Sequence, residues 1–310
     1  MKIVFAGTPE FASVILQELL DHDDAFELTG VLSQPARPRG RGLHVEPSEV
    51  ERLARERSLP LATPAAWNQD ASDALASWAP DILVTAAYGM ILPREAFSAP
   101  PLGAINVHAS LLPRWRGAAP IQRAIEAGDP ATGISIFQIG EGVDTGPVYA
   151  RASTPIEPDE TSADLSRRLA ALGAELLPET LKGISSGALR AEAQSAEGVT
   201  RARKLRKVEG HLSWSEPASV IHRKWRAYHP WPGVTIGDIK LIEIERTSPE
   251  NDGEGGHEEH PGEILSVSPL LVASSHGSLR LNLVQRSGGR VMNGADYANG
   301  RRLAVGDILS

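Results

Sequence analysis

Three side chains able to hold a proton or a developing charge fall at the ends of two apolar runs. Asn106 and His108 stand two apart in Ile105-Asn106-Val107-His108, at the end of a run that begins at Leu102. Along a strand, a spacing of two puts both side chains on one face. The amide of Asn106 is a neutral donor and acceptor, whereas the imidazole of His108 can carry a proton near neutral pH. Asp144 lies in the glycine-punctuated loop Gly140 to Gly146, after a second strand-like run from Gly133 to Ile139. Each has a plain reading. A histidine at a strand end is more often held by its neighbours than catalytic, and an Asp before Thr-Gly is commonly a turn residue. An amide, an imidazole and a carboxylate at consecutive strand ends can, however, meet over one cleft, which is where open α/β sheets bind ligands.

Such groups need a sheet to hold them, and the chain has one. The run Lys2 to Ala6 is a first strand, and Gly7-Thr8-Pro9 turns into a helix with Thr8 as its cap and Pro9 at the first helical position. Only one glycine stands in that turn, so the dinucleotide-binding pattern is absent. Phe26 to Leu32 completes a βαβ unit. Val50 to Glu56 and Ala71 to Trp78 are helical, Leu59 to Ala62 is a short strand, and Asp81 to Thr85 is a buried parallel strand. A long helix from Thr161 to Gly183 closes this part, and the polar stretch 184–206, with Ser185-Ser186-Gly187, reads as a linker. From Gly210 the pattern changes. A helix from Pro217 to Ala227 is followed by the short strands Val234–Ile236, Lys240–Glu245, Gly262–Val267, Leu270–Ala273 and Ser278–Leu283, which suggests a small barrel. The predicted division is an α/β domain with a Rossmann-like, mostly parallel sheet over 1–183, a linker over 184–206 and a β-barrel domain over 207–310.

At 310 residues the chain can bury two cores. It has no cysteine, which rules out disulfides and thiolate metal sites and suits a reducing cytoplasm. No apolar run reaches the length needed to cross a bilayer, and the first residues read as a strand rather than a signal peptide. No His/Asp cluster has metal-ligand spacing, and His257 and His260 read as solvated. The net charge of −8 lies entirely in residues 1–203, while 204–310 balance, so local basic clusters carry more information than the whole-chain value.

Two such clusters occur. Gln34 to His44 contains Arg37, Arg39 and Arg41 among prolines and glycines that disfavour regular structure. It reads either as a solvated mobile loop or as a clamp on an RNA backbone, since Arg pairs with phosphate in bidentate fashion. Arg201 to Lys207, containing Arg203, Lys204 and Lys207, is either a solvated segment or a second RNA-facing surface. Arg114, Arg116 and Arg123 follow the central strand as further candidates for phosphate. The aromatics in Tyr228-His229-Pro230-Trp231-Pro232 read as core, and Glu250 to Glu259 as a disordered acidic hairpin tip.

Asn106-x-His108, Ser110-Leu111-Leu112-Pro113 and Asp144-Thr145-Gly146 resemble the signature of the folate-dependent formyltransferases. The run Ser110 to Gln122, the start Phe5 to Phe11, the segment Ala87 to Pro93 and the loop Gln34 to Gly42 resemble the methionyl-tRNA formyltransferases within that family, a likeness that fades after about Pro232. The resemblance implies that 10-formyltetrahydrofolate is the formyl donor and the methionine amine of initiator methionyl-tRNA the acceptor. It implies that Asn106, His108 and Asp144 are catalytic. Ser110, Leu111, Leu112, Pro113, Tyr88, Gly89 and Ile91 would line the folate site, with backbone groups of 86–93 meeting the pteridine. It further implies that the loop bearing Arg37, Arg39 and Arg41 enters the tRNA acceptor stem, with Arg114, Arg116, Arg203, Lys204 and Lys207 as other RNA contacts. The C-terminal domain would be an oligonucleotide-binding-like barrel. The segment Leu43 to Glu49 is more acidic than is usual for the family at that place.

Formyl transfer to an amine is acyl transfer, which builds negative charge on the formyl oxygen and calls for hydrogen-bond donors. Asn106 and a protonated His108 can donate, the ammonium must lose protons, and Asp144 beside His108 would favour its donor form and take protons through a water. A formyltransferase acting on an amino-sugar nucleotide would share this triad without needing the basic segments, and an RNA-binding relative without activity would not need the triad. A monomer in the cytoplasm, with no membrane partner and no metal, is expected.

Overall fold

A computed structural model describes residues 1–22, 24–39, 44–247 and 260–309; of Arg39 it describes the backbone alone. Arg41 and the acidic stretch 250–259, both singled out in the sequence, lie outside the described residues. The chain forms two compact units, one of Met1–Ile121, Pro130–Ile156 and Asp164–Arg203, the other of Gln122–Asp129, Glu157–Ala163 and Lys204–Ser310.

The first unit is built on a mixed sheet. In chain order as far as Arg203 the elements are β1 (Lys2–Gly7), α1 (Glu10–Asp21), β2 (Glu27–Leu32), a hairpin of β3 (Arg37–Arg39) and β4 (His44–Glu46), α2 (Glu49–Glu56), β5 (Leu61–Ala62), α3 (Gln69–Trp78), β6 (Ile82–Ala86), α4 (Arg94–Ser98), β7 (Ala104–His108), β8 (Arg116–Gly117), α5 (Pro120–Ala127), which falls mostly in the second unit, β9 (Ala131–Gln138), β10 (Val148–Pro155), α6 (Ser162–Ser185) and β11 (Arg201–Ala202). The sheet order is β10-β9-β7-β6-β1-β2-β5. The pairs from β5 to β7 are parallel, and β9 and β10 run antiparallel at one edge. All five residues of β6 are buried, as a parallel strand covered on both faces requires. Each such side chain contributes about 1.5–3 kcal/mol of burial when it is as large as Ile82 or Leu83. From β1 the chain first adds β2 and β5 on one side and then returns to place β6 on the other. The strand order therefore reverses between β1 and β6, the position at which open α/β sheets hold ligands.

Three local expectations are corrected. Thr8 does not cap α1, whose preceding residue Pro9 makes no side-chain cap; its hydroxyl instead donates to the Tyr88 carbonyl at 2.9 Å. The arginine-bearing stretch is not irregular throughout. Arg37 pairs with Glu46, Pro38 with Val45 and Arg39 with His44. Proline is tolerated there because a two-stranded ribbon is all edge. The stretch predicted as a linker is docked on the first unit as far as Arg203. Val148 and Glu192 exchange backbone hydrogen bonds of 2.7 and 2.9 Å, and β11 lies parallel to β8. Polar composition alone does not distinguish a free linker from a strap whose polar groups are bonded to its own domain.

The second unit contains a short 3₁₀ turn (Lys207–Gly210), β12 (His211–Leu212), α7 (Ala218–Tyr228), β13 (Val234–Ile236), β14 (Ile239–Arg246), β15 (Ile264–Val267), β16 (Leu270–Ala273), β17 (Ser278–Arg286), β18 (Val291–Asn293) and α8 (Gly294–Arg301). The strand order is β12-β13-β14-β17-β16-β15 with β18 on β17, antiparallel except for β12 against β13. Both the mostly parallel first sheet and the β-rich second unit expected from sequence are present. The helix α8 is an addition to that expectation. Unit two also takes in two short segments from earlier in the chain. Tyr228 donates to Glu126 at 2.8 Å, the Arg226 guanidinium donates to the carbonyls of Glu157 and Glu160, and Ser162 donates to the His229 carbonyl.

Candidate active site

Strands β6, β7 and β9 bring the chemistry-bearing residues together. On β7, Asn106 lies opposite Thr85 of β6, and His108 lies opposite Ser135 of β9. The Thr85 hydroxyl donates to Asn106 Oδ1 at 2.7 Å. This engages the carbonyl side of the amide and leaves its Nδ2 hydrogens for another partner. His108 is buried and meets the edge of Phe137 at a centroid distance of 6.2 Å. Its Nε2 is 2.9 Å from the carbonyl oxygen of Trp115. A carbonyl only accepts, so Nε2 carries the hydrogen and the tautomer is set from outside the ring. Trp115 reaches this position with φ at 61°, a left-handed conformation that is costly for a bulky residue and is stored at this contact.

The remaining ring nitrogen, Nδ1, faces Asp144 Oδ2 at 3.7 Å. That is an ion-pair distance and too long for a direct hydrogen bond. The carboxylate is fixed from its other side, where the Gly117 N–H donates to Oδ2 at 2.6 Å. Gly117 has φ at 122°, and a Cβ there would lie 2.6 Å from the Ala202 carbonyl oxygen, so only glycine fits between β8 and β11. Asp144 itself has φ at 53°, a left-handed turn that Asp tolerates better than most residues. Gly146, two residues on, passes so close to the Gln138 carbonyl that no side chain could be accommodated.

The predicted folate-lining residues divide by what their atoms are doing. Ser110 is fully buried, its hydroxyl donates to the Arg114 carbonyl at 2.6 Å, and its own carbonyl accepts from Ser135 at 2.7 Å. It builds the turn after β7. Leu112 packs with Phe137, Val148 and Ile139, while Leu111 and Pro113 are half-buried. Tyr88 belongs to the core with Val4, Ala6, Leu32, Leu75, Leu83 and Ala104, and burial pushes its phenol up to about 12. Its carbonyl accepts from both Thr8 and Gln34, which occupies both lone pairs. Gly89 follows with φ at 74°. Ile91, by contrast, is 86% exposed.

The basic residues divide as well. Arg37, Arg203, Lys204 and Lys207 are exposed. Arg114 lies over the Trp115 ring at 4.5 Å. Arg116 is partly engaged, its Nε and Nη2 both donating to Gln194 Oε1 at 3.0 and 2.7 Å. Arg123 likewise bridges Glu126 at 2.6 Å and Glu209 at 2.7 Å. Sequence reasoning missed Thr85, Trp115, Gly117 and Gln194. The Gly after Arg116 was the one visible signal, because a glycine directly after a cluster of bulky residues marks a close backbone approach. Among the described residues, no group of three or more His, Cys, Asp or Glu side chains is placed to hold a metal ion, and no helix is long and apolar enough to cross a membrane.

A family profile described as formyl transferase matches residues 1–181, and one described as formyl transferase, C-terminal domain, matches 204–302. The methionyl-tRNA formyltransferase of Pseudomonas paraeruginosa is 44% identical over 318 residues, covering 100% of this chain and 99% of that protein. Among solved structures, the N-formyltransferase from Helicobacter canadensis, in complex with folinic acid and dTDP-3-aminofucose, aligns with a TM-score of 0.66 at 17% identity, over 91% of this chain and 98% of its own. HypX from Aquifex aeolicus in complex with tetrahydrofolic acid aligns with a TM-score of 0.64 at 16% identity, over 98% of this chain and 48% of its own. At those identities the two structures speak for the fold alone.

Proposed function

The chain belongs to the formyl transferase family, and we propose that it formylates the methionine amine of initiator methionyl-tRNA from 10-formyltetrahydrofolate, with Asn106, His108 and Asp144 at the reacting centre. The methionyl-tRNA acceptor is favoured because identity to the tRNA enzymes runs through both units, whereas the sugar enzyme shares only the fold. The observation that carries the catalytic reading is the Asp144 carboxylate, fixed by a backbone N–H and set 3.7 Å from the one nitrogen of His108 that is not tied to a carbonyl.

Formyl-folate, when bound, would supply an activated formyl carbon at Asn106, His108 and Asp144, and its bond to the folate nitrogen breaks as the new bond to the amine is made. Attack by the amine forms a new C–N bond and puts charge on the formyl oxygen. Asn106 Nδ2 donates to that oxygen, its amide already turned by Thr85. His108 works through Nδ1, since Nε2–H is held by Trp115. In its protonated form Nδ1 is a second donor, and it can pass a proton to the leaving nitrogen. Asp144 stabilises the imidazolium and receives the proton lost by the ammonium. No side chain of this set needs to be acylated.

For the RNA, Arg37, Arg39, Arg41, Arg114, Arg116, Arg203, Lys204 and Lys207 supply phosphate contacts, Arg116 through the N–H groups not given to Gln194. An assay of purified enzyme with formyl-folate and two amines, methionyl-tRNA and an amino-sugar nucleotide, tests the acceptor. Formylation of the tRNA alone is expected, and turnover of the sugar at a comparable rate would reverse the assignment. Replacing Arg41 with Ala should raise KM for the tRNA and flatten its salt dependence while leaving KM for formyl-folate unchanged. Parent-like values for all three remove Arg41 from the interface.

A further inference from the structure

Gln194 sits in the stretch whose composition suggested a linker, yet its side chain joins the two backbone segments that aim Asp144. Its Nε2 donates to the Asp144 carbonyl at 2.9 Å and to the Gly146 carbonyl at 2.7 Å. Its Oε1 accepts from Arg116 Nε and Nη2 at 3.0 and 2.7 Å. An amide has two hydrogens and two lone pairs, and all four are used. One side of the amide thereby grips the left-handed turn that carries the carboxylate. The other grips the residue before Gly117, whose N–H holds that carboxylate. The same stretch reinforces the arrangement through Thr200, whose hydroxyl accepts from the Trp115 N–H at 2.8 Å and whose carbonyl accepts from the Arg116 N–H at 3.0 Å.

We infer that Gln194 is a positioning residue for formyl transfer, holding Asp144 at its working distance from His108 without touching either substrate. This rests on the reading of Asp144 as catalytic. Neither Glu nor Lys can replace the amide. A carboxylate would keep Arg116 but set negative oxygens against two carbonyls, and an ammonium would keep the carbonyls but repel the guanidinium. A carboxylate released from this brace would move by a fraction of an ångström or more, and misplacement by about 1 Å costs on the order of 10²-fold in rate.

The test uses Gln194→Glu, close in size and shape to the parent, and Gln194→Ala, each made alone and together with Asp144→Asn in the full chain. Both single variants should lose kcat by roughly 10–10²-fold with each KM within about threefold of the parent, since the brace makes no substrate contact. Their pH–rate profiles should change in the same sense as that of Asp144→Asn. On the Asp144→Asn background, either Gln194 change should cost less than about twofold further, because the two residues act as one unit. A parent-like kcat in Gln194→Glu overturns the inference while leaving Asp144 in its role. So does an undiminished loss on the Asp144→Asn background, which would mean that Gln194 acts by another route. If Tm falls in parallel with kcat in both variants, Gln194 belongs to the fold rather than to the site. Full activity in Asp144→Asn itself overturns the catalytic reading and, with it, this one.

Discussion

Two histidine–aspartate pairs stand in the two units at nearly the same separation, and only one has the surroundings of a catalytic pair. His108 Nδ1 is 3.7 Å from Asp144, and His222 Nε2 is 3.9 Å from Asp159. Both imidazoles are buried. The carboxylates differ. The Asp144 side chain is 16% exposed and bonded to the Gly117 N–H, whereas that of Asp159 is 91% exposed. His222 stacks on Trp225 with ring centroids 5.8 Å apart, and burial together with the Arg226 charge drives its ring down to about 4, against a smaller opposing pull from Asp159. A water-facing carboxylate is screened and mobile, and it cannot offset the desolvation of a buried imidazole. The distance between a His and an Asp thus says little. What matters is whether the carboxylate is held.

The sharpest way to break this contrast is to neutralise each carboxylate in turn. Asp144→Asn should lower kcat by roughly 10²–10³-fold with both KM values nearly kept, as should Asn106→Ala and His108→Ala. Asp159→Asn should leave kcat and both KM values at parent values. Steady-state kinetics on the four variants decide it, and equal losses from the two Asp changes would erase the distinction.

Acid unfolding examines the other member of the comparison. His222 takes its proton at about 4 in the folded chain and near its ordinary value of 6.5 when unfolded. Between those values the unfolded state binds more protons, so stability is complete above about 6.5 and declines as the pH falls towards 4. The loss from this one group amounts to at most about 3 kcal/mol. Urea unfolding of the His222→Gln variant should show a flatter dependence on pH across that window. A slope identical to the parent's would mean that the ring is not held neutral. The smallest effect is expected at Thr85→Val, which frees the Asn106 amide to rotate. A loss of roughly fivefold in kcat, about 1 kcal/mol, fits one neutral hydrogen bond. No loss would show that Asn106 is oriented by something else.

Much of this was legible in the sequence. The strand periodicity placed β1, β2, β6 and β7, and the spacing of Asn106 and His108 put both on the strand that lines the site. The segments 200–202 and 192–194 were illegible because their bonds are made by backbone groups and one amide, which leave no pattern in hydropathy. Thr8 was misread as a cap because a hydroxyl before Pro at a helix start fits that role locally. The competing acceptor, the Tyr88 carbonyl, arrives from eighty residues away. For the same reason the pairing of Arg116 with Gln194 and of Arg123 with Glu209 could not be read from order, since both partners sit at remote positions. Local chemistry is readable from order, whereas pairing across the chain is not.

The pairing of β11 with β8 also bears on the order in which the chain acquires its parts during synthesis. Every strand of the main sheet has been made by Pro155, yet the peptide that flanks Gly117 finds its partner only when Arg201 and Ala202 have followed. Domains form as units while the N-terminus emerges first, and contacts far apart along the chain are the last to repay their loop-closure entropy. A nascent chain stopped before Gln194 would have its sheet but not the brace around the carboxylate, so the site is completed by the closing residues of its own domain.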